Sequence, residues 1–104
     1  MLAKKYRLSR KDIGIIHKRG KKFNAGAIGI KYFTNNLSFA RFAINIPKSV
    51  YKKATDRNRL RRIIYDEVGK KQITPYDIII SIYHQVDEKN IKAQIQESFD
   101  RLRL

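Results

Sequence analysis

Thr55-Asp56-Arg57-Asn58-Arg59-Leu60-Arg61-Arg62-Ile63-Ile64-Tyr65-Asp66-Glu67-Val68 carries two patterns at once. Its apolar members Leu60, Ile63, Ile64 and Val68 recur at i, i+3, i+4 and i+8, the spacing of a helix docked along one side. Thr55 or Asp56 is the expected N-cap, and Gly69 the expected stop. On a wheel of about 100° per residue, Arg57, Asn58, Arg61, Arg62 and Tyr65 occupy the half opposite or flanking the Leu60/Ile63 stripe. Arg59 lies on the far border. One side of this helix is committed to a core, and the other is offered as guanidinium forks and an amide.

The cationic run begins before the helix. Lys48, Lys52 and Lys53 precede Arg57, and six lysines and arginines fall in the eleven residues 52–62 with Asp56 as the opposing charge. Arginine suits phosphate because it donates two parallel hydrogen bonds and stays charged. The start of a helix adds free N–H groups and the positive end of its dipole. A solvated basic face is the bland alternative. The density of charge beside a helix start favours contact with nucleic acid.

Outward from this helix, Arg41-Phe42-Ala43-Ile44-Asn45-Ile46 alternates within an expected strand over 39–46, ended by Pro47. Its core side is Phe42, Ile44 and Ile46. A half-buried strand is expected over 25–33, with Ile28, Ile30 and Tyr32 inward, and Thr34-Asn35-Asn36 turns the chain. Ser9 with Asp12 reads as a capping box for a first helix through about Arg19, which Gly20 closes as a left-handed residue. Beyond Pro75, Asp77 to Tyr83 is an Ile-rich interior strand. Asp87 then caps a last helix with the stripe Ile91, Ile95, Phe99 and Leu102. With one further strand whose position the pattern does not fix, the order is α-β-β-β-α-β-α. The expected class is α+β: a single-domain α-β sandwich with the basic helix packed on a mainly antiparallel sheet.

The 104 residues hold 24 Lys and Arg against 9 Asp and Glu, a formal charge of +15. One domain, 1–104, is expected, with residues 1–8 as a flexible basic arm carrying Lys4, Lys5 and Arg7. The charge is lopsided, since residues 1–71 contain 20 of the basic and 4 of the acidic residues. A one-sided field of this size attracts a polyanion. No apolar run has bilayer-spanning length and no secretory signal is read at the N-terminus, so a cytoplasmic, membrane-free protein is expected. Zero cysteines exclude disulfides, thiolate catalysis and zinc-finger sites. The two histidines, His17 and His84, read as a half-exposed helix residue and a loop residue. Asp66 and Glu67 read as local ion-pair partners of Arg62, Lys70 or Lys71. No metal site and no catalytic residue is expected on the polypeptide.

Arg57-Asn58-Arg59-Leu60-Arg61-Arg62, preceded by Lys52-Lys53-Ala54, resembles the Arg-Asn-Arg signature of the bacterial ribonuclease P protein subunit. Arg41-Phe42-Ala43-Ile44-Asn45-Ile46-Pro47-Lys48 is similar to the strand before that signature, Tyr76-Asp77-Ile78-Ile79-Ile80 to the strand after it, and Asp12 to Gly20 to the first helix. The resemblance covers nearly the whole chain. It implies a subunit of an endoribonuclease that removes the 5′ leader of precursor tRNA, with chemistry carried by ribonuclease P RNA and its Mg2+ ions. The protein itself is then non-catalytic, binds no cofactor alone, and is expected as a monomer in a 1:1 complex with the RNA. Lys48, Lys52, Lys53, Arg57, Asn58, Arg59, Arg61 and Arg62 fall on positions implied to face RNA.

The resemblance also implies a leader cleft between the first helix and one sheet face, where Ile13, His17, Lys31, Phe33, Arg41 and Asn45 fall. Gly29, Ala43, Ile79, Ser81 and Tyr83 complete the expected shallow floor. Ile13 and His17 stand where the family often has aromatics, so weaker base stacking is expected from that helix. A ribosomal-type structural RNA-binding protein shares the size and charge and is the alternative reading. A free-standing nuclease would need a cluster of histidines or carboxylates that the sequence does not display.

Overall fold

A computed structural model describes residues 4–69 and 75–102. Its elements are α1 (Arg10–Arg19), β1 (Lys21–Ala25), β2 (Ile28–Thr34), β3 (Arg41–Asn45), α2 (Ala54–Val68), β4 (Tyr76–Ile82) and α3 (Glu88–Leu102). The order is the expected α-β-β-β-α-β-α. The strands form one sheet in the spatial order β1-β2-β4-β3. β1–β2 and β2–β4 are antiparallel and β3–β4 is parallel, so the sheet is mixed, with antiparallel pairs in the majority.

The strand that the pattern leaves unplaced is β1. The expected strand over 25–33 is divided at Gly26, whose φ of +59° reverses the chain into a two-residue hairpin turn. Gln94 Oε1 on α3 accepts from Ala27 N at 3.1 Å and ties this turn to the helical layer. β1 is an edge strand of mostly exposed residues with Phe23 half-buried, so it carries no apolar alternation for a sequence reading to detect.

Successive side chains of a strand point to opposite faces, and the two faces have different coverings. Ile28, Ile30, Phe42, Ile78, Ile80 and Ile82 meet Leu60, Ile64 and Val68 of α2 and Ile91, Ile95 and Phe99 of α3 in the main core. The last-helix stripe is therefore core as expected, with Leu102 at its margin. α1 crosses the opposite face, where Ile16 and Ile79 are 1% and 3% exposed. Ile79 is thus not part of an open floor: α1 covers it.

Three helix ends differ in detail from expectation. The N-cap of α2 is Lys53, which makes no side-chain capping bond, while Thr55 and Asp56 lie inside the first turn. Gly69 caps α2 in a right-handed conformation. Gly20 is extended, at φ −72° and ψ 155°. Its lack of a side chain matters for packing instead, because a Cβ there would stand 2.5 Å from the Ile16 carbonyl oxygen and 3.1 Å from that of Tyr32. The capping box of α1 is present: Asp12 N donates to Ser9 Oγ at 3.2 Å, and Ser9 N donates to Asp12 Oδ2 at 3.4 Å.

The start of the chain, read as a flexible arm over 1–8, is docked from Lys4 onward. Lys4–Tyr6 forms a 3-10 turn, Leu8 N donates to Phe42 O at 2.9 Å, and Arg7 bridges Phe42 in parallel. Tyr6 packs edge-on against Phe39, with centroids 5.3 Å apart, and Lys5 Nζ lies 4.9 Å from the Tyr6 ring centre. Residues 1–3 lie outside the described part, as do Lys70 and Lys71. Among the described residues no helix is long and apolar enough to cross a membrane.

Candidate nucleic-acid interface

Leu60, Ile64, Glu67 and Val68 bury one side of α2, which fixes the azimuth of every other residue on it. Asn58, Arg59 and Arg62 are exposed, Arg57 and Arg61 are half-buried, and Tyr65 is half-buried at the helix flank. The guanidinium row predicted from the sequence therefore exists, but its members are not equivalent.

Arg57 turns back toward the loop before the helix. Its Nη1 donates to Tyr51 O and Lys52 O, both at 2.9 Å. That loop is fixed further by Tyr51 Oη, which donates to Val86 O at 3.0 Å and accepts from Val86 N at 2.9 Å. Arg57 is thus partly a brace for the segment bearing Lys52 and Lys53, whose side chains are exposed. Arg59 pairs with Glu88 at the start of α3, Nη2 to Oε1 at 2.5 Å. Arg61 Nη1 donates to Asn58 Oδ1 at 3.1 Å. Arg62 is exposed and has no hydrogen-bond or ion-pair partner among the described residues.

Asn58, Arg61, Arg62 and Tyr65 line one concavity on α2. Tyr65 is also a wall of a second groove, lined on its other sides by Arg7, Ser9, Phe42, Ala43 and Ile44. Burial raises the Tyr65 phenol above its ordinary value, against the opposing pull of Arg61 and Arg7. The neutral ring therefore sits between two cations and joins the arginine face to the outer edge of β3. Neither Tyr65 as a junction nor Arg7 as a wall was legible as such, because both positions depend on how the N-terminal segment docks.

The residues expected to form a cleft at α1 are distributed over three surroundings. Lys31 Nζ donates to exposed His17 Nδ1 at 2.9 Å, bringing these two together. Arg41 is clasped by two carboxylates, with Nη2 to Asp77 Oδ2 at 2.6 Å and Nη1 to Asp12 Oδ2 at 3.3 Å. The Asp77 hydrogen bonds hold the Arg41 guanidinium above its ordinary pKa, with further support from the charges of Asp77 and Asp12. The Ser9 hydroxyl and backbone hold Asp12 below its ordinary value, and Arg41 and Lys11 add to this against the cost of burial. Ile13 is half-buried, Asn45 is exposed at the end of β3, and Phe33 is half-buried on β2, where it lines a separate depression. Lys48 is exposed beyond β3. Gly29 is covered by the phenol end of Tyr83, itself 43% exposed. Glu67, read from the sequence as a local ion-pair partner, is 6% exposed and accepts from Gln96 Nε2 at 3.0 Å.

A family model described as Ribonuclease P matches residues 2–103. The chain belongs to the Ribonuclease P family. Among curated relatives, the ribonuclease P protein component of Ureaplasma urealyticum serovar 10 is 34% identical over 73 residues, which is 68% of this chain and 62% of that one. The component of Legionella pneumophila strain Corby is 27% identical over 98 residues, covering 91% of this chain and 86% of that one. The alignment with the component of Nitrosococcus oceani spans about half of that protein, 51%. Among solved structures, the RNase P protein of Staphylococcus aureus superposes with a TM-score of 0.84 at 20% identity, over 93% of this chain and 94% of that one. That of Thermotoga maritima gives 0.79 at 22% identity, over 91% and 96%. These two structures share the fold, so the α+β sandwich read from the sequence is the architecture of the Ribonuclease P family proteins.

Proposed function

We propose that the chain is the protein subunit of ribonuclease P. It binds the catalytic RNA and the 5′ leader of precursor tRNA, and the RNA carries the endonucleolytic step that matures the tRNA 5′ end in the cytoplasm. The observation that carries this reading is the position of Tyr65 between two concavities. The concavity of Asn58, Arg61 and Arg62 and the groove bounded by Arg7 and the edge of β3 both have Tyr65 as a wall. Unpaired RNA suits such a surface, because phosphates meet guanidinium forks and bases meet exposed aromatic edges.

Mg2+ belongs to the RNA in this proposal. Among the described residues no group of three or more His, Cys, Asp or Glu side chains comes together. The protein contributes position and charge: Lys48, Lys52, Lys53, Arg59 and Arg62 supply cations, and Arg57 keeps the loop bearing the lysines in place. The complex is proposed as one protein per RNA.

The test is cleavage of a labelled precursor tRNA at low magnesium in four mixtures: protein alone, a bacterial ribonuclease P RNA alone, both, and neither. Cleavage at the mature 5′ end that appears or accelerates only with both supports the proposal. Cleavage by protein alone overturns the non-catalytic role. Binding to the RNA without any help to the reaction overturns the subunit assignment in favour of a structural RNA-binding protein.

A further inference from the structure

The basic run Lys18-Arg19-Gly20-Lys21-Lys22 places four cations in five residues, and no part of the interface above uses it. Favourable charge at the C-terminal end of α1 accounts for Lys18 and Arg19. Lys21 and Lys22 lie beyond the helix on β1, where that effect does not reach.

The register shows what these cations face. Lys21 pairs with Tyr32, and Thr34 pairs with Tyr76. All four therefore lie at the end of the sheet where β4 begins, opposite the end from which β3 leads to α2. Arg19, Lys21, Tyr32, Phe33, Thr34 and Tyr76 line one depression there. The Tyr32 and Tyr76 rings meet edge to face, with centroids 6.0 Å apart and planes at 70°. Those two rings are half-buried, while Arg19 and Lys21 are exposed and have no partner among the described residues. Among the described residues no acidic side chain lines the depression. Aromatic side chains alone would be the margin of the core. Aromatic faces ringed by unpaired cations are the arrangement that takes a base with its phosphates.

We propose that this depression is a second single-stranded RNA site, which takes one unpaired nucleotide. The base stacks against the exposed parts of Tyr32 and Tyr76, which share one face of the sheet, and Arg19 and Lys21 hold the flanking phosphates. The inference rests on the RNA-binding reading of the chain but concerns a surface at the other end of the sheet from the approach to α2.

The probe is a short oligouridine carrying a photoactivatable thiouridine, titrated against the full chain over a range of salt. Expected are photocrosslinks to Tyr32 or Tyr76. In the double variant Arg19→Ala/Lys21→Ala the log–log salt slope should fall by about 1.4, roughly 0.7 for each lost single-strand phosphate contact. Tyr76→Leu, which keeps an apolar filler, should weaken binding about fivefold or more. Crosslinks confined to α2 and the β3 edge, with an unchanged slope in the double variant, overturn this second site and leave the main interface standing. Oligouridine binding that responds to neither the double variant nor Arg59→Ala/Arg62→Ala overturns both.

Discussion

Arg59 on α2 is held by Glu88 at the first residue of α3, Nη2 to Oε1 at 2.5 Å, with side chains 70% and 46% exposed. A carboxylate thus occupies the fork of an arginine that would otherwise face phosphate. In water such a pair contributes little to folding, but it competes directly with RNA. Glu88→Gln should change folding stability by under about 1 kcal/mol while tightening RNA binding and steepening its salt dependence. Unaltered affinity across a salt titration would show that Arg59 does not reach RNA.

Arg57 and Arg62 should separate in a two-assay comparison. Arg57 braces two backbone carbonyls, so Arg57→Ala should lower stability by about 1–3 kcal/mol. Arg62 has no described partner, and Arg62→Ala should leave the melting curve within about 0.5 kcal/mol of the parent. Its signature is instead a fall of roughly 0.7–0.9 in the slope of log K against log salt. Equal stability losses in thermal melts would contradict the division of roles.

Gly29 is a seat for the Tyr83 ring. A Cβ there would come within 2.7 Å of Tyr83 Cζ, and the displaced group is the end of an exposed side chain. Gly29→Ala should therefore shift the Tyr83 ring resonances in NMR at a cost within about 1 kcal/mol. Affinity for a precursor with a leader should fall relative to one without. Unmoved Tyr83 resonances would show that the ring does not rest on this glycine.

Acid sensitivity should have a contribution from Asp12. Its folded pKa lies below the ordinary 3.8, chiefly through the Ser9 hydroxyl. A depressed carboxyl contributes stability that is present above the ordinary value and lost as pH falls through the folded one. Urea midpoints measured on both sides of 3.8 should show a smaller acid loss in Asp12→Asn than in the parent. Parallel curves for the two proteins would exclude Asp12 as a contributor.

The periodic parts of the fold were legible. Leu60, Ile64 and Val68 do bury one side of α2, and Ile91, Ile95 and Phe99 bury one side of α3, because a helix that docks must repeat apolar residues at helical spacing. β1 was not separable, since an exposed edge strand needs little apolar patterning. The cationic face of α2 was legible as a face. The division of labour within it was not, because Arg57 turns to carbonyls of its own approach loop and Arg59 to a carboxylate 29 positions later. Arg41 shows the same limit: alternation put it on the non-core side, but only the parallel register of β3 and β4 sets it against Asp77. Sequence periodicity reports which way a residue points, while pairing between distant segments determines what it meets.

β4 lies between β2 and β3 in space but follows both in the chain. On the ribosome, the β1–β2 hairpin can close early, whereas β3 has no neighbouring strand until Tyr76–Ile82 has emerged. The arginine-bearing helix is synthesised before the strand that completes the sheet beneath it. Such non-local closure slows folding and prolongs exposure of unpaired edges. A nascent chain of this protein is therefore a strong polycation before it is a finished fold, and it meets polyanions, including the ribosome's own RNA, while its sheet is still incomplete.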